Sequence, residues 1–409
     1  MKKVLMNAKY RYIILVLGVV ISLVIRFILF DYKGIDYRMC LSPWMDIIRD
    51  NGGIFSLKEA FYNYTPLYMY LLTFMANFDI SNLYAVKIIS VVFDFILAYY
   101  VSQIVFLYSK DEGKRLLSFI VVLLLPTVLL NSSFLGQCDS IYASFVVASI
   151  YYLFRDKKIL SVILLGLALS VKLQAGFILP FYFVYMLRGH IKWYYFLLLP
   201  VVYFITIIPV WIVGRDLMDL LTIYLVQADT YKSLVTFFPN MYIWIHSLFT
   251  TTNKLYGVLM ASILVLAVGY ELRKDKYLFD LEVWLKLILL SVVVLPFILP
   301  GILARYLYLG DVFSVIYIFL NYKKILVMIS TVFISLYAYS FGIYRFALSH
   351  DYPMRYFSYF QVVSWNQVTF LYFVLIIYLI YDLIKTLQQK QSENKNGKNG
   401  VELNLNKTD

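Results

Sequence analysis

Asn131-Ser-Ser-Phe-Leu-Gly-Gln-Cys-Asp-Ser-Ile-Tyr-Ala-Ser-Phe145 decides the reading of this chain. It sets an amide, a carboxylate and a glycine between two apolar runs, Leu116–Leu130 and Ile141–Phe154. Gln137 and Asp139 are too costly to face lipid. A polar cluster in such a place belongs at a membrane face, or in a cavity opening to one.

Working outward, the same alternation fills the chain. Of 409 residues, 62% are hydrophobic, 19% aromatic and only 15% charged. The apolar residues come in runs of about 15–25, the length that spans a bilayer. The sequence therefore predicts an all-α polytopic membrane protein. Continuous runs without alternation argue against a β-barrel. The net charge of +12 is explained by lysines and arginines in short turns, not by nucleic-acid binding.

Lys2, Lys3 and Lys9 precede, and Arg11 stands at the start of, the first run, Tyr10–Phe30, which is expected as a retained span with a cytoplasmic N-terminus. No small-residue cleavage site follows it. Basic turns then recur at 110–115, 155–158, 188–192, 271–276 and 321–324. Threading the runs between them gives about twelve spans and puts every basic turn inside. The outer loops fall at about 31–66, 214–253 and 344–366, within a transmembrane domain of residues 1–386. Ile159–Leu187 is read as two short helices meeting at Val171-Lys-Leu-Gln174. Residues 387–409 are Asn/Lys/Gln-rich and expected as a disordered cytoplasmic tail.

Four cations run against this charge bias: Lys172, Arg305, Arg345 and Arg355 lie at or near the outer face. Binding an anionic group is one reason for such placement, and snorkelling to headgroups is another. Arg305 and Tyr306 follow Pro296, Pro300 and Gly301, which distort helix ends; the arginine is placed to meet a phosphate or to pair with a buried acid. Asp139 either caps the helix after it or lines a pocket with Gln137. Lys172 and Gln174 are either turn residues or part of the same pocket. Trp44 and Tyr64 suit an interfacial belt and equally suit stacking on a sugar ring. Asp31, Asp36, Asp46 and Asp50 supply carboxylates to the first outer segment, where a short amphipathic helix after Trp44 ends at Gly52-Gly53. Cys40 and Cys138 allow one disulfide or two free thiols. Three scattered histidines offer no zinc pattern, and no nucleotide-binding glycine loop is present.

These residues resemble a known family. Asp36-Tyr with Pro43-Trp44, Asn63-Tyr-Thr-Pro66, Gly136-Gln-Cys-Asp-Ser-Ile-Tyr142 with Lys172-Leu-Gln174, Phe238-Pro-Asn-Met-Tyr242 and Arg305-Tyr-Leu-Tyr308 with Asp311 carry the likeness. They are similar to bacterial membrane proteins related to the second mannosyltransferase of GPI-anchor assembly, of the GT-C glycosyltransferases. Leu135 replaces that family's tryptophan, and Leu303-Ala304 its His-Glu pair. The resemblance implies a GT-C fold in a bacterial plasma membrane and inverting transfer of mannose or another hexose. The donor would be a polyprenyl-phosphate sugar, and the acceptor a cell-surface glycan or lipid-linked molecule on the outer side. It implies Asp36 as the catalytic base. Gln137, Asp139, Lys172, Gln174, Arg305, Tyr306, Trp44 and Tyr64 would bind substrate, with no cofactor and an open question over a divalent metal. The alternatives are a surface-polysaccharide polymerase or a lipid-linked glycan transporter. The transporter would be marked by paired charges near the bilayer centre, for which Asp94 and Arg26 are the residues to watch.

Overall fold

A computed structural model describes residues 8–230, 233–245, 254–349 and 363–405, and it is helical throughout. In chain order the helices are α1 (Ala8–Leu29), α2 (Ser42–Asp50), α3 (Pro66–Ala76), α4 (Asn82–Ser109), α5 (Glu112–Leu123), α6 (Pro126–Leu129), α7 (Asp139–Leu153), α8 (Lys158–Leu169) and α9 (Leu179–Leu187). They continue as α10 (Leu198–Ile212), α11 (Leu217–Thr230), α12 (Tyr242–Ile245), α13 (Lys254–Leu272), α14 (Leu281–Ile298), α15 (Tyr308–Leu320), α16 (Ile325–Ser349) and α17 (Trp365–Leu405). Among the described residues the extended pairing is one isolated parallel bridge, Val235 to Ile302.

Seven helices among these residues are long and apolar enough to cross a bilayer, or eight if α5 and the segment Pro126–Phe134 are one span bent by 46°. This is a multi-pass membrane protein, but the count of about twelve is not reached. The reason is length. α7, α8, α9 and α15 have 15, 12, 9 and 13 residues. At about 1.5 Å per residue they run roughly 14–23 Å, short of the ~30 Å hydrocarbon layer. The expected pair of short helices around Lys172 is present as α8 and α9, the second entered through a 3-10 turn, Leu173–Ile178.

The basic turns gather at one end of the bundle. Lys114 lies 5.4 Å from the Tyr322 ring. Arg188 donates to the carbonyls of Leu272, Lys274 and Tyr277 at 3.0, 3.0 and 2.8 Å. Lys158 and Arg188 both act electrostatically on His190. Lys390 pairs with Asp280 at 2.6 Å. The segments between these turns meet at the other end. They are not loop throughout: 214–253 contains α11, whose first amides at Met218 and Asp219 donate to Asp216 at 2.8 and 3.1 Å. Most of 344–366, Arg355 included, and the side chain of Arg345 lie outside the described residues. The last helix continues to Leu405, through residues expected as a disordered tail.

α14 is the most enclosed long helix, with 67% of its apolar window buried, while α1, α13 and the helix containing α10 bury 17% and face outward. Between α1 and α4 sits a sealed ion pair, Arg26 to Asp94 at 2.8 Å, with side chains 2% and 0% exposed. Its position follows from Pro126, which has no N–H to continue the α5 ladder. Arg26 Nη1 donates to the Leu123 carbonyl at 2.9 Å. Asp94 also accepts from Ser132 at 2.5 Å. The pair therefore fastens the bent segment to two long helices.

Candidate functional site

Asp36 reaches its place through a fixed entry. Lys87, buried in α4, donates to the carbonyls of Leu29, Phe30 and Tyr32 at 3.2, 2.7 and 2.7 Å, satisfying the open end of α1. The Tyr32 ring stacks on Phe134 at 3.7 Å. The loop therefore leaves α1 against the Asn131–Phe134 segment and delivers Asp36 beside Gln137. Gln137 Nε2 donates to Asp36 Oδ2 at 2.5 Å. Asp36 starts a π-helical turn, Tyr37–Leu41, that runs straight into α2. α2 turns Trp44, Met45 and Ile48 inward, and the chain breaks from it through left-handed Gly52 and Gly53, φ +79° and +66°. That is the short amphipathic helix and glycine stop the sequence predicts.

Asp139 is the first residue of α7, and it does not cap it. No side-chain cap bond forms there. Instead Asp139 Oδ1 takes Lys172 Nζ at 2.5 Å, and Oδ2 takes Asn131 Nδ2 at 2.7 Å. A buried carboxylate finds stronger partners in a cation and an amide than in helix amides. Asn131 lies in the same polar stretch, eight residues before Asp139, with nothing local in the sequence to mark it as that carboxylate's partner. It is held by the tight return of the chain, in which Gln137 N donates to Asn131 O at 2.8 Å and Gly136 adopts φ +66°. Tyr339 on α16, also unforeseen, lies 3.3 Å from Asn131 Nδ2.

Lys172 stands in the turn between α8 and the 3-10 segment, which Thr65 ties to the first loop by donating to Ser170 O at 2.6 Å. Its ammonium lies 5.5 Å from the centre of the Tyr64 ring. Burial alone would push the Lys172 pKa down, but Asp139 against it more than reverses this and holds it above the usual lysine range. Arg305 follows α14 in a turn fixed by Gly301, φ +69°, whose N–H donates to Leu234 O at 2.9 Å. Arg305 Nη1 pairs with Asp36 Oδ2 at 2.9 Å, and its Nε lies 3.8 Å from Asp139 Oδ2. Burial opposes its charge as well, and Asp36, then Asp139, outweigh that. Of the two sequence readings of Arg305, pairing with acids is what the structure shows, and the same side chain lines a cavity.

These groups bound a cavity of about 170 Å³. Asp36, Gln137, Lys172 and Arg305 line its polar side; Trp44, Tyr64, Gln174 and Tyr306 complete the wall. Asp139 stands behind it, 3% exposed. Trp44 and Tyr64 meet edge to face at 5.6 Å. Asp36 is the open carboxylate, its side chain 52% exposed, and among the described residues its Oδ1 has no partner. Two other acids of this loop are engaged elsewhere: Asp31 accepts from Tyr84 at 2.7 Å, and Asp46 from Asn82 at 2.6 Å. Cys40 and Cys138 are both free thiols lining the cavity. Among the described residues no three of His, Cys, Asp and Glu converge as metal ligands would.

No protein-family model matches the chain. It is similar to GPI mannosyltransferase 1 of Dictyostelium discoideum, 28% identical over 169 residues, which is 39% of this chain and 37% of that protein. The chain thus matches little more than a third of that relative's length, and the relative is named for the first mannosyltransferase rather than the second. The comparison supports likeness to a membrane mannosyltransferase in general.

Proposed function

We propose that the protein is a membrane glycosyltransferase. It moves a hexose, mannose being the first to test, from a polyprenyl-phosphate donor to a glycan or lipid-linked acceptor on the outer side of a bacterial plasma membrane. The observation that carries this reading is Asp36: an open carboxylate on a membrane-protein cavity, held within 2.9 Å of an arginine and facing an aromatic wall. Asp36 takes the proton of the acceptor hydroxyl as that oxygen bonds to the sugar's anomeric carbon, inverting it. The bond from that carbon to the donor phosphate breaks, and its electron pair leaves with the lipid phosphate. Arg305, with Lys172 behind it, stabilises the charge that gathers there. Trp44 and Tyr64 carry the sugar face, and Gln137 orients Asp36.

The transporter reading rests on one observation, the Arg26–Asp94 pair at span depth. That pair is sealed and spent on Leu123 and Ser132, as a structural clip is, and it does not line the cavity. The test is to incubate purified protein with polyprenyl-phosphate hexoses and candidate acceptors and to identify products by mass spectrometry. A glycosylated acceptor that Asp36→Asn fails to make supports the reading. Protein that binds these lipids yet yields no product with any acceptor overturns it.

A further inference from the structure

Arg305 is shared. Its guanidinium spans Asp36 at 2.9 Å and Asp139 at 3.8 Å, and it is only 17% exposed. Asp139 is already held by Lys172 and Asn131. Asp36 is held on its Oδ2 by Arg305 and Gln137, its other oxygen has no partner among the described residues, and its side chain lines the cavity. Of the two carboxylates, Asp36 is the one a new anion can displace: Asp139 is buried and twice held, while Asp36 is half-exposed and can turn toward solvent.

From this geometry, and resting on the function proposed above, we propose that Asp36 and the donor phosphate compete for Arg305, so that donor binding releases the base. A phosphate offers the guanidinium two parallel acceptor oxygens where Asp36 offers one. A carboxylate relieved of its cation takes a proton more readily. The exchange therefore arms Asp36 only when a donor is present, and acceptor binding before the donor is unproductive. After transfer, Asp36 carries the acceptor's proton and Arg305 holds the lipid phosphate. Loss of that proton to water restores the carboxylate, which returns to Arg305 and helps expel the spent lipid.

The test is a double-mutant cycle on the binding of sugar-free polyprenyl phosphate to the full chain in nanodiscs. The variants are wild type, Asp36→Asn, Arg305→Gln and the double substitution. Competition predicts that Asp36→Asn binds about three- to tenfold tighter than wild type, the scale of a partly exposed ion pair. It also predicts that this gain vanishes in the Arg305→Gln background. An equal gain in both backgrounds means simple charge repulsion and overturns the exchange while leaving the proposed function standing. Unchanged or weaker binding by Asp36→Asn overturns it as well. If folded wild type binds no polyprenyl phosphate at all, the proposed function falls, and the exchange with it. Arg305→Lys serves if Arg305→Gln does not fold: it keeps the charge, loses the fork, and should retain part of the gain.

Discussion

The cluster around Asp36 and the cluster around Asp382 are built from the same groups, two carboxylates and two cations, at opposite ends of the bundle. At the basic-turn end, Asp382 takes Lys324 at 2.5 Å on one oxygen and Tyr317 at 2.7 Å and Lys286 at 3.1 Å on the other. Lys286 in turn reaches Glu282 at 2.8 Å and Thr386 at 2.6 Å. That network joins α14, α15, the turn before α16 and α17, and its central acid, Asp382, is 11% exposed. At the other end, Asp139 and Lys172 are sealed alike, but Asp36 is left half in solvent with one oxygen unspent. A closed charge network fixes helices. A network with one open member, at a cavity, leaves a carboxylate in reach of a ligand, which is what the proposed function asks of Asp36.

The largest expected effect tests that distinction directly. A carboxylate base contributes about 10²–10⁴-fold. Asp36→Asn should cut turnover by that order while the protein melts at the wild-type temperature. Asp382→Asn should do the reverse, lowering the melting temperature and leaving turnover per folded molecule near normal. Equal turnover losses in the two variants would erase the comparison.

Next is the sealed half of the site. Asp139→Asn leaves Lys172 buried without its counter-ion, and breaking a buried pair in this way costs about 3–5 kcal/mol. Thermal unfolding should show that loss, and Asp139→Asn with Lys172→Met should recover part of it. Recovery of stability without recovery of turnover would show that the pair serves the site as well as the fold. A capping aspartate would tolerate asparagine, since the two cap alike, whereas the cation and amide that hold Asp139 predict the large loss.

How much of this was legible in the sequence follows from which forces act locally. Hydrophobic runs and basic turns are local, so the helical class, the two short helices around Lys172 and the glycine stop after α2 could be read directly. Span number could not, because it depends on whether short helices such as α7 and α15 cross, which length alone does not decide. The polar residues Gln137, Lys172 and Arg305 were legible as exceptions because apolar neighbours surround them, whereas Asp36, one of four acids in its loop, was singled out by the resemblance. Their partners were not. Nothing in the sequence says that Asn131 rather than a helix amide holds Asp139, or that Lys87 closes the end of α1, since both follow from packing across distant segments. Asp94 was visible as a mid-span charge and Arg26 as a charge close to its span's end, but their pairing depends on the bend at Pro126.

The smallest effect expected concerns sidedness and should leave activity untouched. The comparison assumes that the two clusters face opposite sides of the membrane, as the charge bias predicts. The chain carries its own probe. Cys40 is half-buried at the cavity beside Asp36, whereas Cys138 is 2% exposed. Burial, and then the Asp36 charge, raise the Cys40 thiol pKa, so labelling belongs at mildly alkaline pH, where more thiolate is present. In intact cells a membrane-impermeant maleimide should modify wild type, and Cys40→Ala should abolish the signal. Lys323→Cys, placed in the Cys40→Ala chain at an exposed residue of the basic-turn end, should label only after the membrane is opened. The reverse pattern would put the Asp36 cavity inside the cell, where an outer-side acceptor could not reach it. Labelling of both sites in intact cells would mean that the two clusters do not lie across the bilayer at all.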